Sequence, residues 1–339
     1  MRVLVTGASG MLGGAVARAL RGRGEEVTVF QRGASGFPGR EVRGDVTDAG
    51  AVQHAARGQD AVVHLAARVS VTGPRRVFEA ANVGGTANVV AAARASDSVR
   101  RLVFVSSPSV AHSGASLVGA GAGAAEPARA RGHYARSKAV AELLALAADG
   151  PSLSVVAVRP HLVWGPGDTQ LVGRVVARAR AGRLMLVGRG LALMDCTYVD
   201  NAATAIVAAL DRAPIAHGQA VVVSNGEPRP VAEVLARICA AAGVPAPTRH
   251  VPLRVARAGG TVVEAVWALL GRTDDPPMTR FLAEQLATAH WFDQRATREL
   301  LDWTPTVSLE EGFARLTAWY AANPARAAGL TSATARPFG

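Results

Sequence analysis

Tyr134 and Lys138 are the two residues whose types and spacing most directly suggest chemistry. They are four positions apart, so on a helix they share one face. An ammonium about 5 Å from a phenol, at an effective dielectric near 20, stabilises the phenolate by roughly 3 kcal/mol, or about two pKa units. Lys138 is the single lysine among 37 Lys and Arg residues, and arginine lacks the compact ammonium that such a pair needs. The pair therefore predicts general acid–base catalysis by Tyr134.

A glycine-rich turn gives the second chemical signal. Gly7, Gly10 and Gly13 come directly after an apolar segment, Arg2–Thr6, and directly before a helical pattern. Glycines let such a turn tighten and let the backbone approach a pyrophosphate, whose charge the helix N-terminus stabilises. The turn therefore predicts a bound dinucleotide.

The residue after the second predicted strand bears on the choice of dinucleotide. In an NAD site, an acidic residue about 20 positions beyond the glycines accepts a hydrogen bond from the ribose 2′-hydroxyl. Here the strand Val27–Gln31 is followed by Arg32. Because a guanidinium pairs with a 2′-phosphate through charge-assisted hydrogen bonds, we expect NADP(H) rather than NAD(H).

The elements that position these residues follow a strand–helix alternation up to about residue 160. Apolar runs bounded by turn residues alternate with helical patterns, which is typical of an α/β fold with a parallel sheet. The predicted strands are Arg2–Thr6, Val27–Gln31, Arg40–Arg43, Ala61–Ala66, Leu102–Ser106 and Ser154–Arg159, and the helical patterns include Leu12–Arg21, Val77–Ala95 and Tyr134–Ala148. We therefore expect a Rossmann-type, doubly wound parallel sheet in residues 1–160.

The remaining chain predicts a smaller unit. Residues 161–323 have mixed patterns, expected to complete the sheet and to form a mainly helical substrate lobe, and residues 324–339 a tail. The Gly- and Ala-rich segment Ala111–Ala128 has no periodicity and predicts a flexible loop. Val255–Leu270 predicts a lid helix, since it is too short and too polar to span a membrane. Four tryptophans, Trp267, Trp291, Trp303 and Trp319, are expected in helical segments of the lobe.

Composition excludes several classes of protein. With 49% hydrophobic and 19% charged residues the chain is typical of a packed globular protein. Two cysteines exclude a disulfide scaffold, and eight dispersed histidines argue against a metal site. The net charge of +11 comes from arginines scattered along the chain, which disfavours a nucleic-acid-binding surface. Since a strand begins within the first residues, leaving no signal peptide ahead of it, we expect a cytoplasmic protein.

Taken together, these motifs resemble the extended short-chain dehydrogenases/reductases. The resemblance rests on a TGxxGxxG turn at Thr6–Gly13, a strand ending in Phe104–Ser107 and the Tyr134-x-x-x-Lys138 pair. It extends over nearly the whole chain through Gly44–Asp48, His64–Ala67, Asn82–Thr86, Arg159–Pro160, Gly165–Asp168 and Tyr198–Ala203. Trp164–Asp168, Thr197–Ala203 and Pro276–Phe281 look most similar to the branch of 3-beta-hydroxysteroid dehydrogenases and 2-alkyl-3-oxoalkanoate reductases.

The resemblance implies roles for individual residues. Ser107 is expected to hydrogen-bond the substrate oxygen, with Ser106 and Ser109 as rivals; Tyr134 would transfer the proton and Lys138 would hold the nicotinamide ribose. The expected cofactor-binding residues are Gly7, Gly10, Met11, Leu12, Gly13, Arg32, Asp45, Val46, Leu65, Ala66, Ala67, Asn82, Tyr134, Lys138 and Pro160.

Three functions remain open at this point. The first is an NADP(H)-dependent oxidoreductase that interconverts a ketone and a secondary alcohol on a mainly apolar molecule: a steroid, a beta-keto acid or a polyketide-like intermediate. The second is a nucleotide-sugar epimerase or dehydratase with bound NAD, which His161-Leu162 disfavours because such enzymes usually carry an asparagine there. The third is a non-catalytic NADP(H) sensor, which the intact Tyr134–Lys138 pair disfavours. As partners we expect a small-molecule substrate, with a homodimer and an acidic carrier protein as open hypotheses.

Overall fold

The structure, a computed structural model, describes residues 1–70, 72–111, 114–270, 276 and 278–327. Its strands are β1 Arg2–Thr6, β2 Glu26–Gln31, β3 Arg40–Arg43, β4 Ala61–His64, β5 Arg101–Val105, β6 Leu117–Ala120, β7 Ser154–Pro160, β8 Val163–Trp164, β9 Leu186–Val187, β10 Leu193–Met194, β11 Thr197–Tyr198, β12 Ala220–Val223, β13 Arg229–Pro230, β14 His250–Val251 and β15 His290–Phe292.

Its α-helices are α1 Met11–Gly22, α2 Ala49–Ala56, α3 Arg75–Phe78, α4 Gly85–Arg94, α5 Gly132–Leu146, α6 Val172–Arg180, α7 Val199–Ala216, α8 Val231–Ala241, α9 Leu253–Leu269, α10 Arg280–Ala287, α11 Arg295–Leu301, α12 Leu309–Ala322 and α13 Pro324–Ala327. A π-helical segment, Glu79–Gly84, joins α3 to α4, and a 3₁₀ turn, Pro108–Val110, follows β5.

A seven-stranded parallel sheet in the order β12-β7-β5-β4-β1-β2-β3 forms the centre of the fold. Successive side chains of a strand point to opposite faces, and both faces are covered. Val3 and Val5 belong to the core that α1 and α7 cover, whereas Leu4 belongs to the core beneath α2, α4 and α5. This arrangement confirms the predicted Rossmann-type, doubly wound α/β fold.

The predicted loop at Ala111–Ala128 is partly wrong, because it contains β6. This strand pairs with β15, far away in the chain, in a second sheet of order β13-β10-β15-β6. Gly119 has φ +58°, and a Cβ there would lie 3.1 Å from the Trp291 ring, so the glycine makes room for that side chain. Trp291 therefore lies in a strand, β15, and its predicted helical setting is wrong as well.

Helix α9 spans most of the predicted lid segment and packs against α10. Its far end leaves apolar side chains in solvent, among them Leu269, which is 86% exposed. Within the described ranges, no helix combines the length and the apolar character that crossing a bilayer requires. Of the predicted tail 324–339, α13 is described, and residues 328–339 lie outside the described residues.

Candidate active site

The glycine turn lies at the carboxyl end of β1, where the chain enters α1. Gly7 has φ +80°, and a Cβ on it would lie 2.8 Å from the Ala66 backbone nitrogen. A Cβ on Gly13 would overlap the Gly7 carbonyl oxygen and lie 2.8 Å from its carbonyl carbon. Gly10 is exposed and precedes the first residue of α1, with no side-chain cap on its N–H groups. These features fit a dinucleotide pyrophosphate, because they leave a bare backbone and an uncapped helix N-terminus facing outward.

Leu65, Ala66 and Ala67 follow β4 and lie beside this turn, half-buried. The Thr6 hydroxyl accepts hydrogen bonds from the Leu65 and Ala66 N–H groups, at 3.2 and 3.1 Å. The Thr6 hydroxyl is also 2.7 Å from Nδ1 of the buried His64. Burial and the positive charge of Lys138 lower the pKa of His64 to about 3, so its ring is neutral at pH 7. His64 therefore supports the wall of the dinucleotide site.

The far end of the same edge contains the predicted adenine and ribose contacts. The Asp45 carboxylate accepts hydrogen bonds from the Thr47 N–H and hydroxyl, at 2.9 and 2.8 Å, and lies 4.0 Å from the Arg32 guanidinium. The backbone of Val46 is held by a hydrogen bond from Asn88 Nδ2 to its carbonyl, at 2.9 Å. Arg32 and Asp45 are thus brought together from the ends of β2 and β3.

Substitutions in the glycine turn separate cofactor binding from folding. We expect Gly13→Ala to cost about 1–3 kcal/mol of stability and to weaken NADPH binding, because its Cβ collides with the Gly7 carbonyl. Gly10→Ala meets no atom nearer than 3.5 Å, so it should stay within about 1 kcal/mol of wild type. Its methyl group would still face the pyrophosphate, and we expect about tenfold weaker NADPH binding. Urea denaturation and fluorescence titration with NADPH measure the two quantities.

Gly22→Ala, at the end of the same helix, is the matched control. A Cβ there meets nothing within 4 Å, so the variant should match or exceed wild-type stability and bind NADPH normally. A Gly10→Ala variant with wild-type affinity would show that the pyrophosphate does not approach the turn.

The structure brings Ser107 and Tyr134 together. The Ser107 hydroxyl interacts with the Tyr134 phenol and favours its ionised form. Ser107 Oγ also accepts hydrogen bonds from the Ser109 N–H and hydroxyl, at 3.3 and 3.0 Å, so its own proton is directed to another acceptor. Ser106 is buried beside it. Of the three serines, Ser107 has the geometry of the predicted carbonyl-binding residue.

Lys138 lies one turn after Tyr134 on α5, with a side chain that is almost fully buried. Its ammonium donates a hydrogen bond to the Val105 carbonyl at 2.7 Å and lies 4.0 Å above the Phe104 ring. Since an ammonium has three donors and Val105 is its hydrogen-bond acceptor among the described residues, donors remain for a ribose hydroxyl. Lys138 therefore fits the edge of the sheet where the dinucleotide would lie.

The expectation that Lys138 lowers the pKa of Tyr134 is wrong for the protein by itself. Burial raises the pKa of the phenol to about 12, opposed by the hydrogen bond from Ser107. Burial also lowers the pKa of Lys138 to about 7, opposed by the negative charge of Glu142. Burial is the largest cause of both pKa shifts, whereas the pairing expected from the sequence assumes a medium of higher dielectric.

Asn82 lies in the π-helical segment and is buried. Its Oδ1 accepts a hydrogen bond from the Arg68 N–H at 2.7 Å, and its Nδ2 donates to the Arg68 carbonyl and to Ser137 Oγ at 3.2 and 2.9 Å. Ser137 lies next to Lys138 on α5. Asn82 thus connects the chain after β4 to the helix that carries Tyr134.

A buried ion pair that was not predicted from the sequence holds α5 against the sheet. Arg159 Nε donates to Glu142 Oε2 at 2.9 Å, a second guanidinium nitrogen pairs with Oε1, and both side chains are 1% exposed. Arg159 also donates to the Ala122 and Gly123 carbonyls. The signal was in the sequence, because Glu142 follows Lys138 by four positions, as Lys138 follows Tyr134. This pair fixes the catalytic helix to β7.

Pro160 ends β7, and the two residues after it turn the chain sharply. Leu162 has φ +45°, a left-handed conformation that is uncommon for a residue other than glycine. The His161 ring is buried, with Nδ1 2.7 Å from the Asp195 carbonyl, and packs edge-on against His290 and Phe292. The His161 ring is therefore part of the packed interior.

Comparison with known proteins agrees with this geometry. A family model described as NAD dependent epimerase/dehydratase family matches residues 3–224. The chain is 45% identical over 334 residues to a 2-alkyl-3-oxoalkanoate reductase of Stenotrophomonas maltophilia, covering 95% of this chain and 100% of that protein. A protein of the same name from Shewanella oneidensis is 41% identical, covering 93% and 85%. A double mutant of DesIV, a dTDP-glucose 4,6-dehydratase from Streptomyces venezuelae solved with NAD, superposes with a TM-score of 0.74 at 25% identity, covering 98% and 100%. The chain belongs to the NAD dependent epimerase/dehydratase family and is an enzyme of the extended short-chain dehydrogenase/reductase type.

Proposed function

We propose that this enzyme is an NADP(H)-dependent reductase that converts the ketone of a 2-alkyl-3-oxo acid to a secondary alcohol. The observation that carries the proposal is the interaction of the Ser107 hydroxyl with the Tyr134 phenol, with Lys138 one turn further on the same helix. The glycine turn that fits a dinucleotide lies at the same edge of the sheet. The reductase names of the two relatives support the acid as substrate over the steroid and the polyketide-like intermediate.

The proposed roles of the side chains follow from their hydrogen bonds. Ser107 donates a hydrogen bond to the carbonyl oxygen of the substrate and keeps its proton, because Ser109 already occupies its acceptor positions. Tyr134 donates the phenolic proton to the same oxygen as the carbonyl carbon is reduced. A bound nicotinamide supplies the hydride, and Lys138 positions its ribose. The product is the secondary alcohol, and the Tyr134 phenolate regains its proton from solvent.

The protonation state of Tyr134 favours the reductive direction. Because burial raises its pKa to about 12, the phenol carries its proton throughout the physiological range. A protonated phenol can act as the acid of reduction without a prior step, whereas alcohol oxidation needs the phenolate.

A substrate assay tests the proposed activity. Purified enzyme with NADP⁺ should oxidise 2-methyl-3-hydroxyhexanoate, a stable stand-in for the product, with a rise in absorbance from NADPH. We expect no turnover of UDP-glucose, the substrate type of the epimerase alternative. Activity on the nucleotide sugar and none on the hydroxy acid would overturn the proposal.

Arg32 is the proposed determinant of the NADP(H) preference. A carboxylate beside the end of β2, that of Glu41, accepts hydrogen bonds from Gln31, Ser35 and Arg43. Those hydrogen bonds from Ser35 and Arg43 lower the pKa of Glu41 to about 2, so it is ionised but occupied by protein donors. Arg32 is exposed at the same edge and can reach a 2′-phosphate.

Replacing Arg32 should therefore change one cofactor affinity and not the other. We expect Arg32→Ala to bind NADPH about tenfold more weakly and NADH as before, since charge-assisted hydrogen bonds to the 2′-phosphate are lost. Arg40→Ala, at the opposite end of β3, is the control and should change neither affinity. Fluorescence titration measures both. Wild-type enzyme that binds NADH at least as tightly as NADPH would contradict the preference.

A further inference from the structure

Four charged side chains meet where α10 contacts the start of α5. Glu284 is 2% exposed, and its Oε1 accepts hydrogen bonds from Arg257 Nε and Nη2 at 3.0 and 2.7 Å and from Arg280 Nε at 3.3 Å. Its other oxygen pairs with the Arg131 guanidinium. These four residues are called the arginine cluster below.

One member of the arginine cluster, Arg131, lies beside the helix that carries Tyr134. Arg131 immediately precedes α5, three positions before Tyr134. Its guanidinium packs against Gly114, where a Cβ would lie 2.6 Å from the guanidinium carbon. Gly114 belongs to the segment that follows Ser107. The Arg131 guanidinium therefore lies between the first turn of the helix that carries Tyr134 and the chain that follows Ser107.

The charges of the arginine cluster are unbalanced. Among the described residues, three guanidiniums share one carboxylate, and their side chains remain 38%, 42% and 56% exposed for Arg131, Arg257 and Arg280. The neighbouring carboxylate of Glu264 accepts the backbone N–H of Arg280 rather than its guanidinium. Guanidiniums this close repel one another, so a second anion would be stabilised here. A structural ion pair that joins two helices needs only one arginine for one carboxylate, whereas three arginines surround Glu284.

We propose that the arginine cluster binds the carboxylate of the substrate. This inference rests on the proposed function, and it names the side chains that select an acid over a neutral ketone. In a 3-oxo acid the carboxylate is two bonds from the reacting carbonyl, so a carboxylate site must adjoin Ser107 and Tyr134. Planar guanidiniums bind carboxylates through paired hydrogen bonds. A steroid or another neutral ketone offers no group that this site would bind.

A binding experiment tests the site without turnover. The NADP⁺-bound enzyme is titrated calorimetrically with 2-ethylhexanoate and with 2-ethylhexanamide, which differ only in the charged group. We expect the acid to bind at least tenfold more tightly than the amide, and Arg280→Gln to abolish that difference. Arg280→Lys should restore part of it. Arg254→Gln, an exposed arginine on α9, is the control and should bind both like wild type.

Turnover then separates this inference from the proposed function. Arg280→Gln should lower kcat/KM for 2-methyl-3-hydroxyhexanoate at least tenfold and leave its methyl ester within about twofold. The inference is overturned if Arg280→Gln lowers kcat/KM equally for the acid and the ester, or if the wild type binds the acid and the amide with equal affinity. In either case the arginine cluster only holds the helices together. Tighter binding of pyrophosphate, in competition with 2-ethylhexanoate, would also overturn it. Wild type that binds the acid selectively but oxidises neither compound would refute the proposed function and leave the carboxylate site standing.

Discussion

Tyr134→Phe should reduce turnover by about three orders of magnitude while leaving NADPH binding within about twofold of wild type. The substitution removes one oxygen, the phenolic oxygen that interacts with Ser107. General acid catalysis contributes about 10²–10⁴ to a rate, and Ser107 by itself can polarise a carbonyl but has no comparable proton to deliver. The phenyl ring keeps the packing of the first turn of α5, so the dinucleotide site should be unchanged.

The matched control is Tyr320→Phe, a buried tyrosine on α12. It should keep wild-type turnover, which would show that losing a phenolic hydroxyl elsewhere in the chain has no general effect. Single-turnover absorbance at 340 nm with saturating NADPH isolates the chemical step from product release. A Tyr134→Phe variant that retains more than about a tenth of wild-type turnover would remove Tyr134 from the proton-transfer step.

The parallel sheet could be predicted because its strands are short apolar runs between turn residues. β1 and β3 have the bounds expected from the sequence, since each lies beside a clear change to turn or helical residues. The glycine turn and the Tyr134–Lys138 spacing are equally local signals. Each could be placed because a strand end or a helical repeat determines the position of its neighbours.

What the sequence could not predict depends on distant partners. The strand β6 carries little strand propensity, and its pairing with His290–Phe292 is far away along the chain. The arginine cluster joins Arg131 to Glu284 across about half of the sequence, and no local pattern links them. The direction of the Tyr134 pKa shift also depends on burial, which spacing on a helix does not reveal.

Asn82 shows the same limit at a single residue. The resemblance predicts that Asn82 binds the cofactor, and the structure adds that the π-helical segment orients its amide toward Arg68 and Ser137. A π-helical segment changes the direction in which every later side chain of the helix points, and such segments often occur at functional sites. A helical pattern in the sequence does not reveal where that shift occurs.

Lys138→Met should abolish measurable turnover and at the same time stabilise the protein at pH 6.5. The ammonium is almost fully buried, and burial lowers its pKa to about 7, so the folded protein bears a cost for keeping it charged below that pH. Methionine fills a similar volume without the charge. Unlike Tyr134→Phe, the variant should also weaken NADPH binding, because the proposed ribose donor is removed.

The difference in stability between wild type and Lys138→Met should depend on pH, with wild type gaining stability as the pH rises. Between about pH 7 and pH 10 the unfolded lysine keeps its proton and the folded Lys138 loses it, so wild-type stability rises with pH across this window. The buried thiols of Cys196 and Cys239 have raised pKa values and act in the opposite direction above about pH 9, but they are common to both proteins. Subtracting the free energy of unfolding of Lys138→Met from that of wild type cancels their effect.

Urea denaturation of the cofactor-free proteins at pH 6.5, 8 and 9 measures this difference. Because Lys138 is the single lysine, no other lysine ammonium titrates in the window, and we expect the advantage of the Met variant to shrink by an amount on the order of 2 kcal/mol toward pH 9. Lys138→Arg keeps a charge that cannot be released, so it should be less stable than Lys138→Met at every pH. If the difference in the free energy of unfolding between wild type and Lys138→Met does not vary with pH, Lys138 keeps an ordinary pKa. In that case the burial that places its ammonium against Val105 and Phe104 does not perturb the proton affinity on which this argument depends.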